Sequence, residues 1–155
     1  MHVAELNIGR LRHPIDDPRM ADFVDNLARV NAMAERMPGF VWRLVGDGST
    51  GGALDLRPFP DPMLAVNLSV WQTVEDLERY VWQTVHKRFY NRKTEWFEPM
   101  AAHHFVMWLV PEGHHPDVAE AKARLDHLEA HGNSDEAFDW SHLDHIKLWQ
   151  SQRCG

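Results

Sequence analysis

The chain has 155 residues, 44% of them hydrophobic and 25% charged, with a formal charge of −7. This is the composition of one globular domain able to bury a core of its own, and an acidic balance with no long basic run argues against nucleic acid as a partner. The lone Cys154 excludes an intrachain disulfide, no apolar run nears the ~20 residues of a membrane span, and a cytoplasmic protein is expected.

Residues 2–8 alternate, with Ala4, Leu6 and Ile8 to one side and Val3, Glu5 and Asn7 to the other, which predicts a half-buried strand. Asp17 is a natural N-cap and Pro18 suits a first helical position. Met20, Phe23, Leu27, Val30, Ala34 and Met37 then follow at helical spacing until Pro38 and Gly39. Residues 40–45 predict a second strand. The segment GDGSTGGALDLRPFPDP reads as a long hairpin connection without a phosphate-binding pattern. Residues 63–71 predict a third strand, with Leu64, Val66, Leu68 and Val70 on an aliphatic face and Ala65, Asn67, Ser69 and Trp71 on a mixed one.

Thr73 and Asp76 make a capping-box-like start. The helix runs through Leu77, Val81 and Val85, with a bend or restart expected near Thr84 before Tyr90. Residues 102–110 predict a fourth strand, which divides His104, Val106 and Trp108 from Phe105, Met107 and Leu109. Pro116 opens a third helix, with Val118, Ala121, Leu125 and Leu128 inward and Gly132 as its cap. The tail, 141–155, follows a single domain of 1–140; its residues 141–149 read as a short amphipathic helix or a docking arm.

The order is βαββαβ with helical additions, an α+β fold whose antiparallel sheet carries helices on one face. Strands three and four hold large apolar groups on both sides, whereas a sheet with one wet face alternates more cleanly. A second copy covering the open face solves this, so a homodimer is expected.

The segments HVAELNIGRL, GFVWRL, NLSVWQTVEDLERYVW, VHKRFYNRKTEWF, MWLVPEGHHPDVAEAKARL and GNSDEAFDW span residues 2–140. Through them the chain resembles the dimeric α+β barrel superfamily and, within it, a bacterial domain family of unknown function. The resemblance implies a ferredoxin-like βαββαβ fold with an extra C-terminal helix, two copies of which form a dimeric α+β barrel. It also implies a pocket between helices and sheet. Relatives in that superfamily include cofactor-free quinone-forming monooxygenases, haem-degrading monooxygenases and haem-containing dehydratases. In the haem-degrading group a His on the helix after the third strand ligates iron, and His86 holds a comparable position by order in the chain.

Trp82, His86 and Tyr90 are spaced i, i+4, i+8 and would share one helix face. A neutral imidazole there could ligate haem iron, move a proton with Tyr90, or simply bond a backbone carbonyl. Trp71, Trp82, Phe89, Trp96 and Trp108 are candidate apolar walls, as expected of a small-molecule site. Arg43 or Arg88 could pair with haem propionates. Without haem, an electron-rich phenolic substrate would itself activate oxygen, held and deprotonated by Asn67, Trp71, His86 and Tyr90, with Asn7 and Arg43 polarising its oxygen. The expectation is thus a monooxygenase-like oxidoreductase for a hydrophobic or aromatic metabolite. The alternative is a non-catalytic barrel that binds haem or another apolar ligand. His127 and His131 have helical i, i+4 spacing that can bind zinc, but they sit on a charged helix and read as a solvated face.

Overall fold

The computed structural model describes residues 1–45, 63–89, 92–99 and 104–143, and for 85–87 the main chain only. The expected connection GDGSTGGALDLRPFPDP and the tail beyond residue 143 lie outside these residues. β1 (His2–Leu11) is followed by a single 3-10 turn (Pro18–Met20) and α1 (Ala21–Ala34). β2 (Phe40–Arg43) and β3 (Leu64–Trp71) come next. α2 (Val74–Tyr80) continues through a π-helical segment (Val81–Val85) into α3 (His86–Phe89). α4 (Lys93–Trp96), β4 (Phe97–Glu98), β5 (Phe105–Val110) and α5 (Val118–His131) complete the elements, with a last 3-10 turn at Trp140–His142.

The helix signals act where the residue types placed them. Asp17 caps the first turn by accepting from the Arg19 N–H at 2.8 Å. Thr73 Oγ1 accepts from the Asp76 N–H at 3.1 Å and donates to Asp76 Oδ2 at 2.9 Å. The irregularity expected near Thr84 is the π segment, in which one turn holds an extra residue. α5 begins after Asp117, which accepts from the Glu120 N–H, and ends at Gly132, whose φ is 74°.

Gly39 has φ 87°, and a Cβ there would run into the Asp76 carboxylate at the start of α2. Gly39→Ala combines left-handed strain with that clash, so a loss of about 2 kcal/mol is expected in chemical denaturation. An unchanged midpoint would mean that the α1–β2 turn relaxes freely.

All strand pairs are antiparallel. β1 is central, with β3 and then β2 on one side, and β4 and β5 in succession along its other side. The order β2-β3-β1-β5 is that of a ferredoxin-like sheet. The helix-facing side packs Val3, Trp71 and Met107 against Val30, Ala34, Leu77 and Tyr80 of α1 and α2. A third cluster continues this side with Leu11, Met20, Phe23 and Trp96.

The expected dimeric α+β barrel is overturned here. The sheet is open and does not close into a barrel. Its aliphatic face, made by Ala4, Leu6, Leu68, Val70, Val106 and Trp108, is buried within one chain and packs against Val118, Ala121, Leu125 and Leu128 of α5. In the βαββαβ pattern α5 counts as an addition, which leaves that face to a second copy. Its four inward residues form one helical stripe, and that stripe fits the strands' aliphatic side. The uncovered face on which the homodimer rested is therefore covered by the chain itself.

Candidate functional site

The helix-facing side of the sheet carries a polar row across its centre. Arg43 of β2 pairs in register with Ser69 of β3, Ser69 with Glu5 of β1, and Glu5 with Met107 of β5. Residues opposite each other on neighbouring strands share a face. A guanidinium, a hydroxyl and a carboxyl thus lie side by side under α1 and α2. One step along β1, Asn7 pairs with Asn67 on one flank and Phe105 on the other.

Glu5 is the group that composition and spacing did not single out. It is 3% exposed, in the middle of the central strand. Ser69 Oγ donates to Glu5 Oε1 at 2.7 Å, and the Trp71 indole N–H donates to Ser69 Oγ at 2.9 Å. Burial pushes the carboxyl up to about 8, against the smaller opposing effect of the Ser69 hydrogen bond. Glu5 is therefore a neutral acid at pH 7, with one O–H of its own to donate. Tyr80 stacks on Trp71 with ring centroids 4.9 Å apart. Burial first, and the nearby Glu5 second, push its phenol well above the usual range. Tyr80 thus stays protonated. Arg43 Nε donates to Glu35 Oε1 at 2.8 Å, which anchors β2 to the end of α1.

Asn7 has a different exposure. It belongs to the central strand, flanked on both sides, yet it is exposed, on the same face as the buried Val3 and Glu5. Solvent therefore reaches the sheet through an opening at Asn7. The opposed amides of Asn7 and Asn67 form the floor of that opening, two residues along β1 from the closed carboxyl of Glu5. Side-chain amides offer two donors and an acceptor each, which suits a substrate oxygen that gains negative charge.

The other expected site residues are dispersed. Trp71 lies in the buried wall beside Ser69. Trp82 is half-buried on the π segment. Phe89 and Trp96 pack edge-on around Phe23 at 5.8 and 5.6 Å, with the Arg92 guanidinium 4.7 Å above the Trp96 ring. Trp108 is on the opposite side of the sheet, where its indole N–H donates to Glu120 Oε2 at 2.9 Å. The side chain of His86 and all of Tyr90 lie outside the described residues. No group of three His, Cys, Asp or Glu among the described residues could hold a metal ion, and no described helix is long and apolar enough to cross a membrane.

The profile of the domain of unknown function DUF3291 matches residues 2–154. The chain belongs to the DUF3291 family. Membership in a domain family of unknown function is what its strand and helix segments implied. Among solved structures, this DUF3291 chain is similar to SnoaB, a cofactor-independent oxygenase from Streptomyces nogalater. The identity is 18% and the TM-score 0.48, over 72% of this chain and 94% of that one. It is also similar to a protein assigned as an antibiotic-biosynthesis monooxygenase from Chloroflexus aurantiacus J-10-fl. There the identity is 18% and the TM-score 0.44, over 75% of this chain and 98% of that one. Both likenesses are distant. No curated protein matches the chain.

Proposed function

We propose that this DUF3291 chain is a small oxidoreductase of monooxygenase type, acting on a hydrophobic aromatic molecule that carries an acidic hydroxyl. The reading is carried by one observation: a solvent opening at Asn7, whose position opposes Asn67 across the strands, beside a buried titratable carboxyl. The ring would lie in that opening with its oxygen on the amides. Glu5, half-ionised near pH 8, is the group on this row able to take up and return a proton. Trp71 and Tyr80 keep water from it. An electron-rich phenolate can then pass electrons to O2 directly. One oxygen atom enters the ring and the other leaves as water, so 1-naphthol and O2 give 1,4-naphthoquinone and water.

The test is oxygen uptake and quinone absorbance with 1-naphthol. Asn7→Ala is expected to lower the rate about 100-fold, the usual cost of one lost oxyanion donor. Equal rates for wild type and variant would sink the assignment of the amide pair. Saturable binding without oxygen uptake would replace the enzyme by a protein that binds an apolar ligand without turnover. The haem expectation rests on His86, whose side chain lies outside the described residues, so no role for haem is built into this reading. A hemin titration followed at the Soret band, with His86→Ala alongside, tests it directly.

A further inference from the structure

The segment after α5 does more than end the chain's helical layer. Ala137 packs with the α5-side core, while Phe138 packs with the core on the helix-facing side of the sheet. Between them the chain passes around the edge of β5, where Met107 N–H donates to Phe138 O at 2.8 Å and Phe138 N–H to Met107 O at 2.9 Å. This strap then brings Trp140 and Leu143 to the side that holds Asn7. The Trp140 ring stacks on Phe105, with centroids 5.3 Å apart and planes 16° from parallel. Phe105 is the cross-strand partner of Asn7.

The strap is held by its own polar groups. The Asp139 N–H donates to Asn133 Oδ1 at 2.8 Å, and Asn133 Nδ2 donates to Ser141 Oγ at 3.1 Å. The Ser141 N–H donates to Asp139 Oδ1 at 2.9 Å. Trp140 sits between two tied residues, so its ring is positioned before any ligand arrives. It is only half-buried on Phe105. Phe105, the cross-strand neighbour of Asn7, thus carries a second aromatic ring with part of its surface free, and Asn67 lies across Asn7 from this pair.

We infer that Trp140, presented on Phe105 by the strap, forms the aromatic side of the site over Asn7 and selects planar ring systems over saturated ones. The inference rests on the site proposed above and adds its substrate class. Offset stacking on a fixed ring rewards a flat ligand, and a puckered ring of the same size gains little from it.

The experiment compares binding of 1-naphthol and decahydro-1-naphthol by ligand-observed NMR. Trp140→Leu is expected to weaken 1-naphthol about three- to tenfold and to leave decahydro-1-naphthol unchanged. Trp140→Phe should restore most of the preference, and thermal melts check that each variant is folded. Asn133→Ala, which loosens the strap away from the opening, should lower the preference in the same direction. Asn7→Ala should weaken both probes, because both carry the hydroxyl. Loss of both probes alike in Trp140→Leu, or of neither, overturns the role of Trp140 while an Asn7 effect still upholds the site. No binding by wild type, or no effect of Asn7→Ala on either probe, overturns the site and the inference together.

Discussion

Stability is expected to fall as pH rises from about 5 to about 8, by roughly 1.4 kcal/mol per pH unit at most and about 3 kcal/mol in total. The cause is Glu5, whose carboxyl titrates near 4.5 in an unfolded chain and near 8 in the folded one. The folded state holds this proton more tightly, so the contribution is complete below the unfolded value and is lost as pH climbs through the folded one. Arg partners hold the carboxyls of Asp17 and Glu95 low, and their contributions fade only in acid, below this window. Urea midpoints across the range measure the slope. Glu5→Gln should flatten it, because the amide matches a neutral acid in shape and still accepts from Ser69. Parallel slopes for wild type and variant would mean that Glu5 is ionised in the fold. Glu5→Ala should instead destabilise at every pH, because it leaves a buried hydroxyl without its acceptor.

Trp108→Ala should cost about 3–5 kcal/mol, the usual range for truncating a fully buried large aromatic residue. Trp108 is 0% exposed between β5 and α5, and its indole N–H donates to Glu120 on α5. The other Glu120 oxygen lies 2.7 Å from His114 Nε2. One side chain thus fills the core under α5 and ties the helix's first turn to the sheet. Trp108→Phe keeps most of the volume and loses the tie, so a smaller cost of about 1–2 kcal/mol is expected. A small loss for the alanine variant, measured by urea denaturation, would show that α5 docks only loosely on the sheet.

Much of this architecture is legible in single residues. The alternation of Leu64, Val66, Leu68 and Val70 predicts a buried strand face, and that face is buried. Asp17, Thr73 and Gly132 mark helix ends because each serves main-chain groups that a helix leaves open. What covers a face is harder to read, since the stripe on α5 does not say which surface it meets. A second copy and the chain's own helix satisfy the same apolar pattern. Glu5 was visible as a residue facing away from Leu6, but its burial follows only once β1 is central and both faces of the sheet are covered. Asn7, Asn67 and Arg43 stand out in the sequence as polar residues on strands rich in apolar ones, and the register places all three on one face. Trp108 shares its residue type with the other candidate walls, but the alternation along β5 puts it on the opposite side of the sheet. The i, i+4, i+8 count over Trp82, His86 and Tyr90 assumes 3.6 residues per turn, an assumption that fails across Val81–Val85.

The hydrogen bonds between Met107 and Phe138 also bear on how copies of this chain meet. An outer strand normally shows unpaired N–H and C=O groups to any passing segment of extended chain. At the middle of β5 these groups are already taken by the strap. The opposite rim is β2, only four residues long, with its pairing broken between Phe40 and Trp42 and a charged Arg43 at its end. Short, irregular, charged rims are poor templates for adding strands. The middle of β5 and the β2 rim therefore resist the edge-to-edge growth that leads β-rich proteins into fibrils.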